Sequence, residues 1–210
     1  MDKEIKNIDI LVFGAHPDDV EPQIGGTLAK INSSGGETTV AIVTETATGA
    51  KTSGHRNQEG EAAAKILGAS FVSLGLSQLD EISFRSLVNL VDELIAHESP
   101  STIFCVHPSD SHQDHQRVAK AVRASARNNQ TSLIYLNQAL PGGINCPNLN
   151  YFSDISDFQQ IKMDSLACYA SQINKYGDSW IDAIEARDKF WGFNIGAAFA
   201  EAAFIEKYLY

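Results

Sequence analysis

Residues 8–15 read IDILVFGA, and the polar stretch His16-Pro17-Asp18-Asp19 follows them directly. A short run that is almost wholly apolar is typical of a strand buried on both faces of a parallel sheet. Residues 25–34, GGTLAKINSS, then show helical patterning and end at a Gly-Gly pair, which is a helix stop. This opening therefore predicts a strand, a polar turn and a helix, in that order.

The same order of strand and helix recurs over the following hundred residues. Apolar or β-branched runs alternate with stretches whose apolar residues recur at helical spacing. Strands are predicted at residues 8–15, 38–44, 71–74, 102–106 and 133–136, and helices at residues 25–34, 56–67, 84–97 and 116–127. Four successive steps from strand to helix predict an α/β fold. We expect a Rossmann-like, doubly wound, mostly parallel sheet with helices on both faces.

The chain after residue 140 gives weaker signals. Residues 143–151 are typical of a loop, residues 158–171 and 179–190 have helical patterning, and residues 192–210 fit either a helix or a strand. No linker, internal repeat or low-complexity stretch divides the chain, and its length is near the ~150 residues of an average domain. We therefore expect one domain over residues 1–210.

The composition excludes several classes of protein. Sixteen Lys and Arg stand against 26 Asp and Glu, so the net charge is −10, and an acidic surface repels nucleic acids and anionic membranes. No apolar stretch reaches the length of a membrane-spanning helix, and the opening MDKEIKNIDILVF lacks the pattern of a signal peptide. We expect a cytoplasmic protein that neither binds nucleic acid nor inserts into a membrane.

Two polar clusters follow the first and fourth predicted strands. The first is HPDD at residues 16–19, and the second is HPSDSHQDH at residues 107–115. In one common doubly wound order these two strands are neighbours, and ligands bind beyond the carboxyl ends of the strands. The two clusters would bring four of the six histidines and four aspartates to one rim of the sheet.

Imidazole and carboxylate groups together are ligands for zinc, iron and related divalent ions. The three cysteines, Cys105, Cys146 and Cys168, form no CxxC pair, so neither a disulfide framework nor a cysteine zinc cage is indicated. A catalytic zinc site uses three protein ligands and leaves one position open. Such a set would comprise His16, one of Asp18 or Asp19, and His115 or His112. The remaining carboxylate and histidine would be available for proton transfer.

Simpler interpretations exist for each cluster alone. An Asp-Asp pair after a strand commonly caps a helix, and a lone histidine is more often a satisfied polar group than a ligand. A two-histidine, one-carboxylate iron oxygenase is one alternative function, although many short strands would be expected for its usual β-sandwich fold. A non-catalytic sugar- or nucleotide-binding α/β module is the other. Gly25-Gly26 would suit an anion at a helix N-terminus, but no GxGxxG or Walker pattern is present.

These motifs resemble the zinc-dependent N-acetylglucosaminyl deacetylases, the LmbE-like or PIG-L family that includes glycosylphosphatidylinositol-precursor, mycothiol and bacillithiol deacetylases. GAHPDDVE at residues 14–21 resembles the opening motif of the bacillithiol-type branch, and DSHQDH at residues 110–115 resembles the second metal motif. Residues 56–68 are similar to the first crossover helix of the family. Residues 168–172 and 200–204 are similar to its C-terminal segments.

The resemblance implies an activity and a role for each site residue. The activity is hydrolysis of the N-acetyl group of an N-acetylglucosamine-type sugar or conjugate, with Zn²⁺ as cofactor and other divalent ions such as Fe²⁺ as options. The partner would be a small amino-sugar substrate, and a homo-oligomer is compatible with the apolar C-terminal stretch. The implied roles are His16, Asp19 and His115 as zinc ligands, Asp18 as general base, His112 as oxyanion stabiliser or proton donor, Asp114 as an orienting group, and Arg56 as a substrate contact.

Two segments depart from the bacillithiol-type pattern. Pro22-Gln23 stands where that branch commonly has Ile-Gly, and residues 44–49, TETATG, stand where it usually has a Gly-Glu pair. In the family these loops line the substrate entrance. The resemblance therefore extends to the metal chemistry but leaves the natural substrate open.

Overall fold

The computed structural model describes residues 9–45, 55–127, 130–137 and 149–209. Some residues with predictions lie outside these ranges. They are residue 8 of the first predicted strand, residues 46–49 of the TETATG segment, and residues 143–148, which include Cys146. The strands are β1 (Asp9–Gly14), β2 (Glu37–Thr44), β3 (Ser70–Leu76), β4 (Thr102–Cys105), β5 (Ser132–Leu136), β6 (Tyr151–Asp154) and β7 (Ala200–Lys207). The α-helices are α1 (Glu21–Ser33), α2 (His55–Ile66), α3 (Phe84–Glu98), α4 (Gln113–Ala126), α5 (Gln159–Leu166), α6 (Ala170–Tyr176) and α7 (Ser179–Ile195).

The strands form one seven-stranded sheet in the order β3-β2-β1-β4-β5-β7-β6. Strands β1 to β5 pair in parallel, and β7 lies antiparallel between β5 and β6. The predicted mostly parallel α/β sheet is confirmed. The predicted neighbours β1 and β4 pair in parallel, from Ile10 opposite Thr102 to Phe13 opposite Cys105. Their carboxyl ends therefore lie side by side at one edge of the sheet.

Strand β1 is buried on both faces, as its apolar run predicts. Leu11 and Phe13 pack in the layer that includes α3 and α4. Ile10 and Val12 pack in the opposite layer, with apolar residues of α1 and α2. Because neighbouring residues of a strand point to opposite faces, this alternation explains why no polar residue interrupts the centre of the strand. Helices therefore cover both faces of the sheet.

Several element boundaries differ from the predicted ones. Helix α1 begins at Glu21 rather than residue 25, since Pro22 is tolerated in the first turn of a helix. Residues 158–171, predicted as one helix, form α5 and α6, and the chain between them turns to bury Tyr169 against Trp180. Helix α7 runs beyond residue 190 to Ile195.

The sequence of residues 192–210 fits either a helix or a strand, and the structure decides between them. Residues 200–207 form β7, which is enclosed between β5 and β6, and its first four residues are buried. Strand β6 begins at Tyr151, the last residue of the predicted loop. Among the described residues, no helix has both the length and the apolar character that a bilayer crossing requires.

A buried ionic cluster joins the C-terminal elements to α1. The Lys162 ammonium on α5 lies 2.6 Å from Asp188 Oδ2 on α7 and 2.8 Å from Glu201 Oε1 on β7. All three residues are at most 2% exposed. The Glu201 carboxylate also accepts hydrogen bonds from the backbone N–H groups of Gly26 and Thr27 at 2.9 and 2.8 Å. The expected anion at a helix N-terminus is therefore corrected: α1 begins at Glu21, so Gly25-Gly26 lies inside the helix, and the carboxylate beside it belongs to Glu201.

We expect Lys162→Met to destabilise the protein by about 3–5 kcal/mol, because it removes the ammonium that two buried carboxylates share. The measurement is the free energy of unfolding in urea. Lys189→Met is the matched control, since Lys189 is an exposed lysine paired with Glu185 on the same helix, and such pairs contribute about 0.3–0.5 kcal/mol. A loss below about 1 kcal/mol for Lys162→Met would contradict this account of the cluster.

Candidate metal centre

The two predicted polar clusters meet beyond the carboxyl ends of β1 and β4. His16, Asp18 and Asp19 lie in the turn from β1 to α1. The second cluster lies in the connection from β4 to α4 and in the first turn of α4. Helix α4 begins at Gln113, three residues before the predicted start, so that its first turn carries His115. The pairing of β1 with β4 brings both clusters to one place.

Three histidines converge at this point. His16, His112 and His115 each present one ring nitrogen within 4.8 Å of the others. His16 is 4% exposed and His115 is 6% exposed, whereas the His112 side chain is 42% exposed. Two of the histidines are therefore interior groups, and the third lies at the solvent-facing side of the cluster.

Asp19 lies between the two buried histidines. Its Oδ1 is 3.1 Å from His115 Nε2, and its Oδ2 is 3.5 Å from His16 Nδ1. Oδ2 also accepts a hydrogen bond from the His16 backbone N–H at 2.8 Å. These distances bring Asp19, and not Asp18, into contact with both histidines. Two imidazoles and one carboxylate form a donor set that fits a divalent ion such as zinc.

Each buried histidine is backed by a second carboxylate. His16 Nε2 lies 2.9 Å from Asp114 Oδ2, and His115 Nδ1 lies 3.0 Å from Asp110 Oδ2. Carboxylates of this kind fix the tautomer and ring orientation of metal-binding histidines. Asp110 belongs to the second predicted motif but had no predicted role. The signal for it is its spacing, five residues before His115.

The charges of the cluster favour a cation at its centre. Against the effect of burial, His115 and His16 hold the pKa of Asp19 well below its usual range. Burial lowers the pKa of His16, but Asp19 and Asp114 outweigh it and raise that pKa to about 9. The same balance, with Asp19 and Asp110 as partners, raises the pKa of His115 to about 10. The carboxylates thus attract positive charge, as a proton or as a metal ion.

His112 differs from the other two histidines in its hydrogen bonding. It is the N-cap of α4, and its Nδ1 accepts a hydrogen bond from the Asp114 backbone N–H at 3.2 Å. Burial lowers its pKa, with a further contribution from the neighbouring histidines. A neutral imidazole that accepts at Nδ1 carries its proton on Nε2. In this tautomer His112 can donate a hydrogen bond through Nε2.

Asp18 has surroundings unlike those of Asp19. Its backbone has φ +91°, a conformation that is rare for a residue other than glycine. The Arg56 guanidinium pairs with Asp18 Oδ1 and also donates to the Pro17 carbonyl. Burial raises the pKa of Asp18 to about 7, against the opposing effect of Arg56. Arg56, predicted to contact substrate, here contacts the turn that carries Asp18.

Comparison with known proteins adds a family match and a shared fold. The family model described as PIG-L, GlcNAc-PI de-N-acetylase, matches residues 11–126, which is more than half of the chain. The uncharacterized deacetylase YaiS of Escherichia coli (strain K12) is 28% identical over 130 residues, 58% of this chain and 70% of YaiS.

Two solved structures share the fold over nearly the whole chain. The conserved protein TT1542 from Thermus thermophilus has a TM-score of 0.83 at 24% identity, with 97% of each chain covered. The N,N'-diacetylchitobiose deacetylase from Pyrococcus horikoshii has a TM-score of 0.80 at 22% identity, with 96% of this chain and 85% of that chain covered.

Proposed function

The chain belongs to the PIG-L family of GlcNAc-PI de-N-acetylases, and from that membership we propose that it is a metal-dependent hydrolase that removes the N-acetyl group from an N-acetylglucosamine-type sugar or conjugate. The observation that carries the proposal is the position of Asp19 between His16 and His115. A second carboxylate, Asp18, lies beside this set with different partners. Asp19 is thus available to bind an ion, and Asp18 is available to accept and donate a proton.

In this proposal His16, Asp19 and His115 hold Zn²⁺, and other divalent ions such as Fe²⁺ fit the same donors. A bound zinc ion supplies a Lewis acid that polarises an amide carbonyl and makes water more acidic. Asp19 is chosen over His112 as the third ligand because His112 accepts a hydrogen bond at Nδ1. The neutral imidazole then carries its proton on Nε2 and has no lone pair left for an ion. Asp114 and Asp110 orient the two histidine ligands.

Asp18 is the proposed general base. It accepts a proton from the attacking water and passes it to the nitrogen of the departing amine. A pKa raised to about 7 by burial supports this role, because proton transfer is most efficient when the pKa of the catalyst is near the working pH. General acid–base catalysis of this kind contributes ~10² to 10⁴-fold to the rate.

His112 is the proposed stabiliser of the negative charge that develops on the amide oxygen. Its Nε2–H is the donor, and its partly exposed position allows contact with a bound substrate. Loss of one such donor typically costs ~10² to 10³-fold in kcat. Arg56 is proposed to contact the substrate. Because it also pairs with Asp18, it is further proposed to orient the general base.

The proposal also covers the organisation of the whole chain. We infer one domain over residues 1–210, supported by the insertion of β7 between β5 and β6 and by the contact of Glu201 with α1. A small amino-sugar compound as substrate and a cytoplasmic location complete the proposal. The seven-stranded α/β sheet disfavours the iron-oxygenase alternative, for which many short strands are expected.

Acetate release from a panel of N-acetylglucosamine conjugates tests the proposal. Metal-free protein and zinc-loaded or Fe²⁺-loaded protein are compared side by side, with the bound metal counted per chain. We expect release that depends on the metal, and the best conjugate indicates the substrate class. One tightly bound ion per chain with no acetate from any conjugate would contradict the proposal. Ligand binding without metal or turnover would favour the non-catalytic binding module.

A further inference from the structure

The Asp18 carboxylate is held on both of its oxygens by groups from two different helices. Arg56 on α2 pairs with Oδ1. Gln172 on α6 donates its amide N–H to Oδ2 at 3.0 Å, in the amide orientation that satisfies its neighbours. In that orientation the Gln172 carbonyl accepts from Arg56 Nε at 3.3 Å. Gln172 therefore bridges Asp18 and the arginine that pairs with it.

The position of Gln172 is built into the packing of α2 and α6. Glu59 lies one turn after Arg56 on α2, and it accepts hydrogen bonds from the backbone N–H of Ser171 at 2.8 Å and from the Ser171 hydroxyl. A carboxylate at the first turn of a helix also interacts favourably with the helix dipole. Gln172 is the next residue and is 5% exposed. The contact with Glu59 thus fastens α6 beside Asp18.

One contact alone does not fix the plane of an aspartate carboxylate. The terminal torsion of Asp is broad, so a carboxylate held at Oδ1 can still rotate and carry Oδ2 away from its place. A reacting group must be held within ~0.5 Å and 10–20° of the productive geometry. A displacement of ~1 Å costs about 10²-fold in rate. A donor on the second oxygen supplies the missing restraint.

We propose that Gln172 is a positioning residue that fixes the plane of the Asp18 carboxylate through its hydrogen bond to Oδ2. The inference rests on the proposed function, in which Asp18 is the general base. Gln172 lies outside residues 11–126, the part of the chain that matches the family model. The proposed metal ligands all lie within residues 11–126. Through Gln172, the C-terminal third of the chain would also contribute to the chemistry of the site.

The test is Gln172→Met in the zinc-loaded protein, which keeps the length of the side chain and removes the amide. We expect kcat to fall by ~10 to 100-fold, up to the loss that a ~1 Å displacement of a reacting group causes, with KM and zinc content within about twofold of wild type. Asn174→Leu is the matched control, because Asn174 is an exposed amide on the same helix, and we expect its kcat to stay within about twofold.

Two readouts separate positioning from a general structural defect. A trifluoroacetylated conjugate has a carbonyl group that reacts more readily with water. On this substrate we expect the loss of kcat in Gln172→Met to shrink to below about threefold. A structural defect would lower both rates equally. In crystals of the zinc-loaded variant we expect the Asp18 carboxylate to be rotated about its terminal torsion relative to wild type.

The inference is overturned by an unchanged kcat, by equal losses on the two substrates, or by an unrotated Asp18 carboxylate in the variant. Its failure differs from failure of the proposed function. If the wild-type zinc-loaded protein releases no acetate, the proposed deacetylation is wrong, and the orientation of Asp18 in the two crystal structures still decides the role of Gln172.

Discussion

His115→Ala is expected to weaken zinc binding by well over 100-fold and to remove measurable deacetylation. His115 Nε2 is 3.1 Å from Asp19 Oδ1, and its Nδ1 is 3.0 Å from Asp110 Oδ2. Loss of an outer carboxylate alone typically costs ~10 to 100-fold in metal affinity, and loss of a ligand removes a bond to the ion itself. The measurement is zinc affinity by competition with a chelating dye, together with metal content after dialysis.

Two further variants calibrate this result. Asp110→Asn keeps the imidazole but weakens its support, so we expect an intermediate loss of ~10 to 100-fold in zinc affinity. His97→Ala removes a histidine whose side chain is 81% exposed and which lies in the last turn of α3, and we expect no change. Full zinc content and wild-type affinity in His115→Ala would exclude His115 as a ligand.

Asp18→Asn is expected to keep zinc and lose most turnover. Asn has nearly the same size as Asp but is a poor base, so kcat should fall by the ~10² to 10⁴-fold that general base catalysis contributes. Zinc affinity should change little, because Asp18 contacts Arg56 and Gln172 and not the histidine pair. The measurement is acetate release at saturating substrate, with zinc content determined on the same sample.

The control for Asp18→Asn is Asp92→Asn, the same exchange at an exposed position on α3. We expect wild-type kcat for it. The thermal unfolding midpoint of both variants shows whether loss of the Arg56 ion pair has disturbed the fold. A zinc-loaded Asp18→Asn protein that retains a wild-type kcat would assign the base to another residue.

The sheet order around the site could be predicted from sequence because its signals are local and repeated. The apolar run of β1, the β-branched run of β2 and the helical stripes between the strands each identify one element. The common doubly wound strand order then makes β1 and β4 neighbours. The observed pairing of Ile10 with Thr102 confirms this prediction.

The C-terminal third was harder to predict for a physical reason. The sequence AEAAFIEK of β7 consists largely of good helix formers, and its strand conformation depends on hydrogen bonds to β5 and β6. Strand β6 has only four residues, of which one is buried, so its sequence shows no clear alternation. Contacts between distant segments decide both strands, and local patterning does not contain them.

The same distinction applies within the candidate site. His16, Asp18 and Asp19 are recognisable because they adjoin one another after a strand. The choice between Asp18 and Asp19 as neighbour of the histidines depends on the turn, where Asp18 adopts φ +91°. Gln172 is far from Asp18 in the sequence, and its role depends on how α6 packs against α2. Neither feature can be derived from spacing in the sequence.

A hybrid protein that takes residues 11–126 from this chain and the remainder from a relative needs a carboxylate opposite Gly26 and Thr27. Without Glu201, two buried N–H groups of α1 lose their acceptor, and each unsatisfied group costs about 1–3 kcal/mol. The ion-holding half is therefore not an interchangeable module. Recombination within the family, in the laboratory or in evolution, must carry this acid along or replace it on the same side of α1.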